Sequence, residues 1–337
     1  MIHFRAFLNL YSGKLHALPV AVLYVTDKCN SRCISCDYWR FGQKEMSLEL
    51  VRQLAVELPK FGTRYVLLSG GEPLQHPQWA AIAASFKAEG LKVAMVTSGI
   101  LLSRHAAALP GCIDELYVSL DGANPETYRS IRGIDGFDRV RQGVQELAGK
   151  LPIIFRTTVQ RANFRELPDL VRLSRSWGGT QHSFLAVDVS THAAFARGRE
   201  FDRSMALRQE DLDAFARVLD GMERECAGEF ERGYVRESPA KLCLLRDYFA
   251  ALLGMQPFPP VRCNAPTFSV VIETDGSVRP CFFLPASGRL GGGSISEALN
   301  APGMRSLRRQ QRQGRREECS RCVCPAYRGA RELLGVS

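Results

Sequence analysis

The spacing of apolar residues changes character along the chain. From residue 20 to about 190, short β-branched runs alternate with stretches whose apolar positions recur at helical spacing, and this predicts βα units around a parallel sheet. Strands are expected over 20–26, 64–69, 92–97, 114–120, 152–159 and 181–188. The first lies in Leu18-Pro19-Val20-Ala21-Val22-Leu23-Tyr24-Val25, which is apolar throughout, as a buried strand is. Ser47 can cap the helix that carries Leu48, Leu50, Val51 and Leu54, and Pro77 suits the first turn of the next. Six such units make a partial barrel.

Beyond it the pattern turns helical and charge-rich from about 200 to 255, and Gln256-Pro257-Phe258-Pro259-Pro260 suits a boundary. Thr267-Phe268-Ser269-Val270-Val271-Ile272-Glu273, a turn at Asp275-Gly276 and Ser277-Val278-Arg279-Pro280 then read as a β-hairpin. The expected organisation is an N-terminal segment over 1–19, a barrel over 20–200, a helical connector over 201–258 and a small C-terminal domain over 259–337. The segment Phe4-Arg5-Ala6-Phe7-Leu8-Asn9-Leu10-Tyr11 has helical apolar spacing and is expected to pack on the barrel; peripheral contact with a lipid surface is compatible with it but not predicted.

Composition agrees with a folded protein: 337 residues, 45% hydrophobic and 23% charged, with no repeat or low-complexity tract. No apolar run approaches the length needed to span a bilayer. Eleven cysteines without a secretory signal point to thiolates in a reducing compartment, and hence to the cytoplasm. The formal charge is +9, and thiolate-bound clusters would bring it to about +6. Much of the excess is in Arg305, Arg308, Arg309, Arg312, Arg315 and Arg316. A solvated helix face is the favoured reading of that run over an acidic partner, a membrane or a nucleic acid, the last of which is not expected.

The cysteines change the picture most. Cys29, Cys33 and Cys36 follow the first strand on one loop, at the end where α/β folds place ligands. Three thiolates at this spacing can ligate three irons of a four-iron cluster and leave the fourth iron open to chelate a small molecule. A second group, Cys263, Cys281, Cys319, Cys322 and Cys324, brings cysteines near the open end of the hairpin together with a Cys-x-x-Cys loop. Such a set can close a tetrahedral site for zinc or iron-sulfur. Cys263, Cys281, Cys319 and Cys322 are the assigned ligands, with Cys324 either replacing Cys322 or standing beside it. Cys112, Cys226 and Cys243 read as packing residues, and His76 as a surface or capping residue.

Cys29, Cys33 and Cys36, followed by Ser69-Gly70-Gly71-Glu72-Pro73, Val118-Ser119-Leu120-Asp121-Gly122 and Arg132-Gly133, make the chain resemble the radical S-adenosylmethionine (SAM) enzymes. The arrangement of Cys263, Gly276 and Cys281 resembles the opening of the SPASM/Twitch extensions of that superfamily. The ending departs from the full SPASM pattern, since only Cys324 is left over, so a Twitch-like domain with one auxiliary cluster is expected. The implied fold is α/β, a partial (β/α)6 TIM-like barrel with a small Twitch-like domain of hairpin plus helix.

The resemblance implies that the open iron of the first [4Fe-4S] cluster binds SAM and that an electron splits the sulfonium to a 5′-deoxyadenosyl radical, which takes a hydrogen atom from substrate. Gly70, Gly71 and Glu72 are then expected to hold the methionyl amine, with Glu72 pairing with the ammonium. Ser98, Ser119, Asp121 and Arg156 are candidates for ribose and carboxylate contacts. Ser35 stands where relatives commonly carry an aromatic residue on adenine, and Tyr38 or Trp39 could supply that surface; Thr97-Ser98-Gly99 replaces a frequent Thr-Asn-Gly. An auxiliary [4Fe-4S] cluster implies a net oxidation or bond formation on a small molecule or peptide, with flavodoxin or ferredoxin as electron donor. The alternative is a maturase or activating enzyme with a separate recognition partner, because few residues precede the first strand. A non-catalytic iron-sulfur or zinc protein would leave Gly70-Gly71-Glu72-Pro73 unexplained.

Overall fold

The computed structural model describes residues 2–191, 193–195, 202–291 and 293–334. Six strands follow the expected runs: β1 Val20–Thr26, β2 Tyr65–Gly70, β3 Lys92–Thr97, β4 Glu115–Ser119, β5 Ile153–Val159 and β6 Gln181–Ala186. They pair in parallel in sequence order, with helices packed outside. Trp79, Ile82 and Phe86 of the helix Trp79–Ala88 bury against strand residues such as Val66, Leu68 and Val93 in one continuous core. Ser47 caps Leu48–Lys60 by accepting from the Leu50 amide at 3.2 Å. Pro77 does not open the next helix. It sits in the turn ahead of Trp79, where His76 accepts from the Gln78 amide and its other ring nitrogen meets the Met46 carbonyl at 3.1 Å, a buried capping role.

The C-terminal hairpin, β7 Ser269–Ile272 and β8 Ser277–Arg279 with the short β9 Gly288–Arg289, does not stand apart from the barrel. β7 pairs in parallel with β1, Val20 opposite Ser269 and Leu23 opposite Ile272, giving a nine-stranded sheet ordered β6-β5-β4-β3-β2-β1-β7-β8-β9. A buried strand cannot leave one edge of its peptide groups unpaired, and β7 satisfies the free edge of β1. At the other edge Val235, between the connector helices, bridges to His182 of β6.

The connector forms the helices Gln209–Glu225, Ala227–Glu231 and Pro239–Leu252, and the boundary expected at 200/201 lies outside the described residues. The first helix, Ile2–Leu8, packs through Ala6 near Phe268 and Leu333, while Phe4 and Tyr11 are exposed. Buried Asn9 ties this end down by donating to the carbonyls of Ala17 and Thr267. No described helix is long and apolar enough to cross a membrane.

Candidate functional site

The cysteine loop is fixed on two sides by backbone. The amides of Arg32 and Ile34 donate to the carbonyls of Arg132 and Ile131, at the end of the helix Pro125–Arg132. That helix stops at Gly133 in the left-handed region, and a Cβ there would lie 2.8 Å from the Arg32 Cβ and closer still to its carbonyl oxygen. On the other side the amides of Gly71 and Glu72 donate to the carbonyls of Thr26 and Lys28. A Cβ on Gly71 would meet the Asp27 carbonyl oxygen at 2.7 Å. Of the two glycines expected to admit a ligand, Gly71 admits the start of the cysteine loop at Asp27 and Lys28, and Gly70 admits the end of β1 at Tyr24 and Thr26.

Burial pushes the thiols up, Cys29 to about 11 and Cys36 to about 12. Cys33 is raised by burial as well, against the pull of Arg132. Cys33 acts on both neighbours, so the three are close enough for each to oppose ionisation of the next. A set of this kind becomes stably anionic when a cationic centre lies among the sulfurs. Among the described residues no three Cys, His, Asp or Glu side chains converge as they would on a single ion, so the fit to a cluster rests on the chemistry of the donors. Asn30 Nδ2, Ser31 Oγ and Arg132 Nε are buried beside these sulfurs without partners, and such donors suit thiolates or the carboxylate of a chelated ligand.

Glu72 is fully buried at the barrel mouth, and its carboxylate is already engaged. It accepts from the Leu74 amide at 3.2 Å, Thr97 Oγ1 at 2.8 Å and the Ser98 amide at 2.6 Å. The side chain expected to face an ammonium therefore joins the end of β3 to the loop after β2. Ser98 Oγ in turn donates to Asn30 Oδ1, which presents the Asn30 amide group at the cysteine loop. Asp121 accepts from Arg132 at 3.1 Å and from the Thr158 amide at 2.7 Å, so it too is committed to the protein. Arg132 lies between Asp121 and Cys33, and both hold its guanidinium charged despite burial. Sequence reasoning gave Arg132 no role, although an arginine directly before a helix-ending glycine was a readable signal.

Two expectations about side-chain direction change. Tyr38 is buried with Val22, Tyr24 and Val271 next to Cys36, edge-on to Tyr24 at 5.8 Å, while Trp39 donates to the Cys33 carbonyl at 3.3 Å. Arg156, expected at the cofactor, instead places a guanidinium nitrogen 3.1 Å from Cys324 Sγ. Ser119 lies opposite it in register.

The second thiol set is assembled by Asn264. Its amide donates to the Ala326 carbonyl and its side chain exchanges two hydrogen bonds with the Arg328 backbone, drawing the C-terminal loop onto the start of the hairpin. Burial raises Cys281 to about 12, with Cys319 and Cys263 adding to it. Burial raises Cys319 to about 11, again with Cys263, and Cys322 goes higher still through burial, Cys324, Cys263 and Cys281. Cys263, Cys281, Cys319 and Cys322 thus form one interacting set, and Cys324 acts on Cys322 while also accepting from Arg156. Between the strands and this loop lies a cavity of about 410 Å³. Its lining includes Tyr65, Tyr117, Arg156, Glu237, Tyr248 and Cys324. Leu67 lines the cavity and also packs in the group that holds Cys36.

The radical SAM superfamily model matches residues 23–174, and a model described as an iron-sulfur cluster-binding domain, SPASM, matches residues 263–323. An AdoMet-dependent heme synthase of Methanosarcina barkeri is 30% identical over 186 residues, 53% of this chain and 52% of that protein. A probable GTP 3′,8-cyclase of Methanosarcina acetivorans is 33% identical over 183 residues, 50% of this chain and 53% of that protein. The chain spans about half the length of the curated relatives it matches. SuiB of Streptococcus suis bound to S-adenosylmethionine is similar with TM-score 0.66 at 13% identity, over 94% of this chain and 75% of that chain. AnSMEcpe with bound AdoMet and Kp18Cys peptide has TM-score 0.64 at 16% identity, over 94% of this chain and 96% of that chain. At these identities the likeness is one of fold.

Proposed function

The chain belongs to the radical SAM superfamily and carries a C-terminal SPASM iron-sulfur domain, and we propose that it oxidises, or joins a bond within, a small molecule or peptide side chain held in the barrel cavity. The observation that carries this reading is the placement of one cavity against both thiol sets, through Leu67 on the side of Cys36 and through Cys322 and Cys324 on the other. When bound, the clusters and SAM supply an electron and a 5′-deoxyadenosyl radical that removes a hydrogen atom.

The residues of the chain bind, orient and exclude water. Cys29, Cys33 and Cys36 hold the first cluster, with Arg132 offsetting their charge. Asn30 and Ser31 offer donors to the chelated ligand, and Glu72 positions Ser98 and, through it, Asn30. Cys263, Cys281, Cys319 and Cys322 hold the auxiliary cluster. Tyr65, Tyr117, Tyr248 and Phe258 wall the cavity with aromatic surface that keeps water from a radical, while Arg156 and Glu237 are its polar anchors. A reducing compartment such as the cytoplasm suits both thiol sets.

Anaerobically reconstituted protein given SAM and a reductant releases 5′-deoxyadenosine, and Cys33→Ala abolishes the release. Full iron content without SAM cleavage in the unsubstituted protein would refute the assignment.

A further inference from the structure

We infer that the outer face of the helix Pro302–Arg312, with Arg315 just past it, is the docking surface for an acidic one-electron carrier protein of the flavodoxin or ferredoxin kind. Arg305, Arg309 and Arg312 share one exposed face, at helical spacing, and Arg315 is exposed beyond the last turn. Among the described residues no carboxylate pairs with any of these four. Elsewhere on the surface arginines do find acids, as Arg316 finds Glu318 and Arg172 finds Asp169 and Glu225. The cations crowd one another: burial first, then Arg312 and Arg305, hold the guanidinium of Arg308 below its ordinary range, at about 10. Arg308 itself is bound to the carbonyls of Gly13 and Leu299, which pins the helix; Arg312 reaches back to the Leu10 carbonyl at 3.2 Å, while Arg305, Arg309 and Arg315 project. A trough of about 370 Å³ runs between them and Gly13.

Position selects the partner. On the inner side of the same helix Gln311 Nε2 donates to the Cys263 carbonyl at 2.9 Å, so the arginine face lies across one helix, ~10 Å wide, from the backbone that carries the first cysteine of the second thiol set. Arg315 precedes Cys319 by a single helical turn of sequence. An acidic protein drawn to this face brings its redox group next to a redox site, where the carrier loses one electron and the chain's cluster gains it. A nucleic acid or an anionic membrane would meet the same charge without that use of the position. The inference rests on the second set holding iron-sulfur, but its binding readout does not.

The test is stopped-flow reduction of the oxidised holoprotein by reduced flavodoxin, followed by bleaching of the iron-sulfur absorbance, alongside the affinity of the two proteins by calorimetry. Charge steering of this kind raises association by at least about tenfold. Arg305→Glu/Arg309→Glu/Arg315→Glu should therefore lower the second-order rate constant and the affinity by about tenfold or more at low salt. The gap should close near ~0.5 M salt, where the Debye length falls to a few ångströms. Reduction by dithionite should not change. The Gln triple variant, which removes charge without reversing it, gives the same comparison at smaller amplitude should the Glu variant prove damaged. An unchanged flavodoxin rate and affinity in both variants would overturn the docking surface, as would loss of binding to an RNA oligomer or phosphatidylserine vesicles with flavodoxin kinetics intact. About four irons per chain together with lowered flavodoxin affinity in the variants would instead remove the auxiliary cluster and keep the surface.

Discussion

Gly133→Ala tests whether the helix end and the cysteine loop form one unit. Gly133 has φ 68°, and a non-glycine residue in that region costs about 1–2 kcal/mol. The added Cβ would also press on the Arg32 backbone, which cannot swing aside because the amides of Arg32 and Ile34 are held by the Arg132 and Ile131 carbonyls. Gly149 separates the two effects. It has φ 75° and nothing within 4 Å of its would-be Cβ, so Gly149→Ala carries the backbone cost alone. We expect Gly149→Ala to lose about 1 kcal/mol and Gly133→Ala about 3 kcal/mol, the difference being a forced shift of the loop. Urea unfolding of the iron-free proteins reads the stabilities, since bound clusters would break two-state behaviour. Iron analysis after reconstitution reads the site, and Gly133→Ala should fall from about eight irons toward about four, with Gly149→Ala unchanged. Equal unfolding midpoints for the two variants, together with full iron in Gly133→Ala, would refute the coupling.

Two further outcomes follow from the same geometry. Cys322→Ser should drop iron to about four per chain while Cys324→Ser keeps about eight, because Cys322 lies among the other sulfurs and Cys324 faces Arg156; equal losses would return Cys324 to the ligand set. Burial holds His182 neutral down to about 3 against an ordinary 6.5, between Thr157 Oγ1 and Ser174 Oγ. Its folded value lies below the unfolded one, so stability is intact above pH 6.5 and is lost as pH falls from there toward 3, at about 1.4 kcal/mol per unit. Urea midpoints between pH 7 and 5 should show this slope, and His182→Gln should flatten it; an unchanged slope in the variant would assign it to other groups.

What could be read from the sequence was decided by how local the cause is. The six barrel strands were legible because a buried strand announces itself in its own β-branched residues, and the cysteines were legible because thiolate chemistry belongs to the residue. The partner of the hairpin was not, since Ser269 to Ile272 would pair with any free edge and only the finished barrel shows that β1 has one. Gly70 and Gly71 signalled a close approach correctly, but a missing Cβ does not say what approaches. Glu72 looked available to a ligand because nothing in the sequence shows that Thr97 and the Ser98 amide fold back onto it. Arg156 makes the limit clearest. Alternation places it on the lumen face beside Ser119, its partner in register, and so both were expected at the cofactor. A serine acts where its Cα lies, whereas an arginine delivers its charge several bonds away, and the direction is set by whichever anion the fold brings within reach. Here that group is Cys324, on a loop that Asn264 draws in from the far end of the chain, so the role of Arg156 depends on a contact spanning 168 positions of sequence.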